Sequence, residues 1–361
     1  MVYFPESSII ITKDGLYCQV YSNEHPEGYI IVKPKYIPTT KISGISLPSR
    51  FIGGKKVNRL DLWTNVDALK KYIDDFSRHY PQYILKNSMY EKSPLFFAVS
   101  ESNVDKVYFP RDGLKELMDM PKIDLDSHLE SVVGLVSFLL KSGLKLSDLG
   151  LTYSTLMGHY SPEKSDINIV VYGKDNYWKL MKFLTNNKDK DLEWKSYEQW
   201  ESHYRKRHRV MIEDKEIYIN NMYRKKSEGF FRKTLFVIFA AEEPDDVWFK
   251  WGEERYKSLG IATISGRVVD HYNSCVRPGL YEITDSKIIS GERSEDIEIK
   301  KVVFYSRDYS GIVYSGESIE ASGLLEEVTP KYGEKYYRLV VGYFDTYLSE
   351  RRGKEYIKIV S

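Results

Sequence analysis

LGLTYSTLMGHYSPEKSDINIVVYGKDNYWKLMKFL, residues 149–184, changes its periodicity twice. An apolar run ends near Thr152, and a short turn with Ser154 and Gly158 follows. A loop carrying Pro162 leads into Asp166-Ile167-Asn168-Ile169-Val170-Val171-Tyr172-Gly173, first alternating and then continuously apolar. That is the pattern of a strand with one or both faces buried. From Asn176 the spacing becomes helical, with Tyr177, Leu180, Met181 and Leu184 on one side. The stretch therefore predicts strand, turn, strand, helix. Residues two apart on a strand share a face, so Asp166 and Asn168 look the same way.

Upstream, Asp126-Ser127 can cap an apolar helix, HLESVVGLVSFLLKSG, that ends at Gly143 and is expected to pack beneath the motif's sheet. Residues 1–100 predict an α+β module. IIITKDGLYCQVY forms a hairpin around Lys13-Asp14-Gly15, GYIIVKPKYIP a strand closed by prolines, and FIGGKKVNRLDLW a glycine turn into a strand. VDALKKYIDDFSRHY follows as a helix capped by Thr64-Asn65. Nothing in this module has a catalytic pattern. After residue 260, ATISGRVVD, GLYEIT, IKKVVFYS, SIEASGLLEEV and YYRLVVGY predict five short strands and a small OB-like β-barrel. The expected architecture is a multi-domain α+β chain: an N-terminal module (1–100), a central α/β domain with a mixed sheet and its leading helices (101–260), and the barrel (261–361).

The whole chain has 361 residues, 42% apolar and 29% charged, with a net charge of +1. That suits a soluble protein of two or three domains. No apolar run approaches the roughly 18 residues of a membrane span, and no export signal is read at the start. Cys18 and Cys275 are far apart and expected to be unpaired, which fits a reducing cytoplasm. The modest net charge hides local asymmetry. Residues 203–233 hold ten Lys/Arg against four Asp/Glu, whereas residues 242–254 hold six acids and one lysine. In the basic stretch, Arg205, Lys206, Arg207, Arg209, Arg224, Lys225 and Lys226 alternate with aromatics such as Tyr204 and Tyr223. Cations neutralise phosphates and exposed rings stack on unpaired bases, so this stretch is the expected nucleic-acid contact. The competing reading is an ordinary solvated helix face. His203 and His208 have no acid or cysteine beside them in a metal-ligand pattern.

The 149–184 segment resembles the nucleotidyltransferase superfamily that includes the DNA polymerase beta-like catalytic domain. Beyond it, the layout of the chain resembles an archaeal group of predicted nucleotidyltransferases. The family pattern is an apolar strand, Gly-Ser, a loop, then Asp-apolar-Asp and an apolar run. Two carboxylates at i and i+2 hold two divalent metals, which clamp a triphosphate and activate the attacking hydroxyl. The resemblance assigns nucleotide contact to Ser154, Gly158, Asp166 and Asn168, and metal (Mg2+) to Asp166. Three departures weaken catalysis. Tyr153 stands at the glycine of Gly-Ser, Asn168 replaces the second carboxylate, and the third acid is missing from TLFVIFAA (234–241), leaving only Glu216 at the edge of an expected strand EIYIN (216–220). The resemblance thus implies a catalytically degenerate domain that binds a nucleotide or nucleic acid, RNA before DNA, with Mg2+ held weakly if at all. The alternatives are an active transferase with an atypical metal site and a protein-interaction scaffold whose partner is another protein.

Overall fold

The computed structural model describes residues 3–38, 49–60, 66–207, 214–292 and 297–360. Among them are seven α-helices and three sheets, of eight, five and six strands, so the chain is a multi-domain α+β protein. No helix among the described residues is long and apolar enough to cross a membrane. Cys18 and Cys275 are free and buried.

The 149–184 stretch takes the order its periodicities dictate. Strand Leu149–Leu151 pairs antiparallel with Ile167–Tyr172, and helix Lys174–Asn186 follows Gly173, whose φ of +86° makes the sharp entry. Ile167–Tyr172 lies between the edge strand Leu149–Leu151 and the central strand Thr234–Ala241 of the five-stranded sheet, parallel to the latter. Alternation divides its side chains. Ile167, Ile169 and Val171, with Phe236, Ile238 and Ala240 of the neighbour, form one core with helix Ser127–Leu140. That helix starts where expected, the Asp126 carboxylate accepting from Leu129 N at 2.9 Å, and buries Val132, Leu135, Val136 and Leu139 at helical spacing. The other face of the sheet carries Asn168 and Val170.

EIYIN departs from expectation. It lies in helix Lys215–Lys225, not in a strand. Asp214 caps that helix, accepting from Glu216 N and Ile217 N, and the buried set Tyr218, Ile219 and Met222 has helical spacing. Five residues are too few to separate the two periods; Met222 is what decides. The strand that follows, Glu228–Phe231, pairs antiparallel with Thr234–Ala241.

In the six-stranded sheet the pairing closes on itself. Glu254–Asp270 pairs with Gly279–Gly291, which pairs with Ile299–Phe304; this lies parallel to Tyr336–Val341, which pairs with Ser318–Pro330, and that strand returns to Glu254–Asp270. Tyr356–Val360 is added outside the ring. The first strand begins at Glu254, ahead of the expected boundary at 261. The N-terminal sheet likewise runs on to strand Val104–Tyr108, past the boundary at 100. Neither boundary separates the cores: Phe76 and Val99, Tyr218 and Ile219, and Ile264 and Leu339 belong to one buried cluster. The Thr64-Asn65 cap lies outside the described residues.

Candidate functional site

The polar face of the Ile167–Tyr172 strand begins at Asp166, half-buried just before it. Asn168 is 4% exposed, and its amide Nδ2 is 3.4 Å from the Asp166 carbonyl oxygen. The adjacent turn is tied to this strand by Thr152 N donating to Asn168 O at 3.1 Å. Tyr153 then opens the short helix Tyr153–Leu156 at φ +57°, the left-handed region that favours glycine. A non-glycine residue there costs on the order of 1–2 kcal/mol. Its ring is held on three sides: Gln19 Nε2 donates to its hydroxyl at 3.0 Å, Phe239 meets it edge-on at 5.7 Å, and Lys35 Nζ stands 3.5 Å from its centroid. Ser154 is half-buried beside it, its carbonyl accepting from His159 N. Gly158 is exposed at φ +69°, and a Cβ there would meet nothing.

What faces this turn is basic, and it comes from the N-terminal sheet. Strand Tyr29–Pro38 carries Lys33 and Lys35. Its ladder slips at Lys35, for Tyr17 pairs with Tyr36 but Cys18 with Pro34, a bulge that aims Lys35 at Tyr153. Both lysines are half-buried. Burial, then Arg277 and Arg307, pushes Lys33 down to about 7. Burial, then Lys33 and Arg59, holds Lys35 well below the usual lysine range, with Asp166 opposing. His159, 2.8 Å from Tyr36 Oη, is pushed down to about 4 by burial and then by Lys35, Arg59 and Arg50, so it stays neutral near pH 7. Arg59 is exposed at the rim, with no ion pair among the described residues.

The closed sheet supplies two arginines. Glu6, fully buried, accepts from Arg277 Nη1 at 2.9 Å and Arg307 Nη2 at 2.6 Å. The Arg307 guanidinium lies 3.8 Å over the Phe239 ring, and its Nη1 has no acceptor among the described residues. Arg277 covers Tyr21 at 3.7 Å. The cleft thus gathers Lys33, Lys35, Arg59, Arg277 and Arg307 around the turn, with Glu6 and Asp166 as counter-charges and Asp308 beside Lys33. Lys33 and Lys35 feel repulsion from these neighbouring cations, which an anion would relieve.

The donors do not fit a two-metal centre. Across the parallel register Asn168 is matched by Val237 and Val170 by Phe239, so apolar side chains occupy the neighbouring strand on this face. Glu216 is on a helix elsewhere. Of the two positions Asp166 and Asn168, Asp166 alone is a carboxylate, and it favours the charged form of Lys35. Among the described residues no three His, Cys, Asp or Glu converge to hold a metal.

The basic stretch does not form one surface. Arg205 pairs with Glu201 at 2.9 Å on helix Tyr197–Arg207, where Lys206 is exposed. On the next helix Arg224 turns inward to Glu317 and donates to Ile312 O at 2.7 Å, and Lys225 donates to the Arg307 carbonyl. Lys226, at φ +53°, lies over Tyr223 at 4.2 Å. The Arg207 side chain and Arg209 lie outside the described residues. The acidic stretch is also partly neutralised internally, Lys174 Nζ meeting Glu242 at 3.3 Å and Asp246 at 3.1 Å. Sequence reasoning missed Lys33 and Lys35. The available signal was Lys-Pro-Lys inside an otherwise apolar strand.

These features define an α+β protein whose three sheets meet at a cluster of lysines and arginines. No family model matches the chain, and no solved structure matches it. It is 30% identical over 361 residues to an uncharacterized protein of Methanocaldococcus jannaschii, with 97% of each chain covered. The chain belongs to the same family as that archaeal protein.

Proposed function

We propose that this protein is a nucleotidyltransferase-fold protein that has exchanged metal-dependent transfer for direct binding of a nucleotide, free or within RNA, in the basic cleft. The observation that carries the reading is the exchange of charge on one sheet face. Where the superfamily sets carboxylates to hold dications, this chain has Asn168, Val237 and Phe239, and protein cations stand opposite: Lys35 on Tyr153 and Arg307 on Phe239. Metal ions deliver positive charge to phosphates in an acidic site, and lysines and arginines deliver it in a basic one. The strand–turn–strand–helix order and the mixed sheet support the fold assignment. The ring of five strands, ordered first, second, third, fifth, fourth and back to the first with third and fifth parallel, supports an OB-like barrel.

Purified protein is expected to transfer no nucleotide with Mg2+ or Mn2+. Asn168→Asp, which returns a carboxylate two residues from Asp166, is expected to raise divalent-metal affinity by calorimetry without restoring transfer, because Val237, Phe239 and Lys35 are unchanged. Robust transfer by the natural sequence, abolished in Asp166→Ala, would sink this reading in favour of an active enzyme with an atypical site.

A further inference from the structure

Strands Ser49–Ile52 and Lys55–Arg59 form a hairpin at the edge of the N-terminal sheet. Gly53 and Gly54, both at positive φ, make its two-residue turn. Its two faces differ. Ile52 and Val57 are buried with Tyr17 and Tyr36, and Met157 of the motif turn packs against them. Arg59 pairs in register with Tyr36, whose hydroxyl meets His159, and both Arg59 and Arg50 act on that histidine. The hairpin's charge is therefore felt at the motif. The outer face carries Phe51 directly opposite Lys56, and beside them Ser49 Oγ donates to Asn58 Oδ1 at 3.2 Å. Phe51 is 74% exposed. Arg50, Lys55, Lys56 and Arg59 are exposed too, no acid lies within residues 49–60, and none of the four cations has an ion pair among the described residues. Lysines on an edge strand also deter association between sheets. That role leaves Phe51 unexplained, because an exposed apolar ring invites the association the lysines oppose. A ring flanked by cations instead suits an unpaired base on the ring with its phosphates on the ammonium and guanidinium groups.

We propose that this hairpin binds single-stranded RNA, with one base stacked on Phe51 and the adjoining phosphates on Arg50, Lys55 and Lys56, and that Arg59 leads the strand on to the cations around Tyr153. The proposal rests on the nucleotide-binding reading above and extends it from one nucleotide to a strand. A duplex keeps its bases stacked on one another and offers no free face to the ring, so the surface selects single strands. Unpaired segments are the usual targets of proteins that read RNA. An acidic protein would meet the same cations but would gain little from Phe51.

Fluorescence anisotropy on the full chain tests this with a labelled oligouridylate of about ten residues, within the roughly 4–16 nucleotides of single-strand sites. Phe51→Ala should weaken binding about tenfold with an unchanged salt slope, and Phe51→Tyr should keep most of the affinity. Arg50→Gln, Lys55→Gln and Lys56→Gln together should weaken it and flatten the slope by about 0.7 for each phosphate no longer neutralised. Arg59 is left in place because it also belongs to the basic cluster. Pyrophosphate, which has no base and reaches the cluster alone, should bind all these variants within about twofold of the natural protein, which also reports that they are folded. Duplex RNA or polyglutamate that competes as well as the single strand overturns the proposal in favour of general attraction of polyanions or an acidic protein. A deoxyribose strand that binds tighter overturns it in favour of DNA. RNA that does not bind, or whose affinity is unmoved by Phe51→Ala and by the triple variant, overturns the hairpin while bound pyrophosphate keeps the cluster reading standing. Failure of RNA and pyrophosphate alike to bind the natural protein removes that reading and this inference with it.

Discussion

Glu6→Ala is expected to lower the unfolding free energy by about 3–5 kcal/mol, the usual cost of removing one partner from a buried ion pair and leaving the other charged. The side chain is fully buried and is the carboxylate that touches both Arg277 and Arg307. Without it two guanidinium groups remain beside Lys33, whose protonated form already suffers from both. Arginine does not escape by deprotonating, so the penalty falls on stability. Glu6→Gln should cost less, since it keeps an acceptor and loses only the charge. Urea unfolding gives the measurement: the midpoint should fall with an unchanged slope. A shift equivalent to under about 0.5 kcal/mol, the range of ordinary surface substitutions, would mean that the arginines are compensated elsewhere. Added pyrophosphate should recover part of the loss in Glu6→Ala, because a ligand bound to the folded state alone stabilises it by mass action. Recovery would link the ion triad to the anion site in a single experiment.

Local chemistry was legible in the sequence; partnership was not. Helix 127–140 could be read because its cap, its apolar spacing and its Gly143 terminator all lie within a few residues of one another. The motif could be read for the same reason, with Pro162 and Gly173 bounding a strand of fixed alternation. EIYIN could not, because its period is ambiguous over five residues and the residue that decides lies just beyond. Lys33 and Lys35 left only the Lys-Pro-Lys signal, which by itself does not mark a site. On an isolated strand, lysines at i and i+2 describe a solvated face, and only the packing of that sheet against Tyr153 places them over the motif. The run at 203–233 shows the opposite contrast. Its positive charge is plain in the sequence, but Arg205 is paired one turn back to Glu201 on its own helix, and Arg224 and Arg232 find Glu317 and Asp191 on other elements. Charge density therefore pointed to one surface, while the structure divides those side chains among helix pairing, docking onto the closed sheet and solvent.

The same contrast sets the second large effect. Changing Lys33 and Lys35 together to Gln should weaken single-stranded RNA binding roughly a hundredfold at low salt, taking about 1.5 kcal/mol for each charged hydrogen bond. The salt slope should flatten by about 0.7 for each phosphate that is no longer neutralised. Changing Arg205 and Lys206 to Ala should alter affinity by less than about twofold, as expected of exposed, weakly coupled charges. Filter binding at two salt concentrations separates the outcomes, and the reverse ranking would return the interface to the helix Tyr197–Arg207 surface. The pH dependence supplies an independent sign. Lys33 sits at about 7 in the free protein, below its ordinary value. A phosphate favours the charged form and raises that value in the complex, so binding takes up a proton above pH 7. Affinity should fall as pH rises beyond about 7, by up to tenfold per unit for the Lys33 proton until the value of the bound state is reached. In the double Gln variant that fall should disappear. A pH slope that survived the substitutions would assign the proton to another group and remove Lys33 and Lys35 from the site.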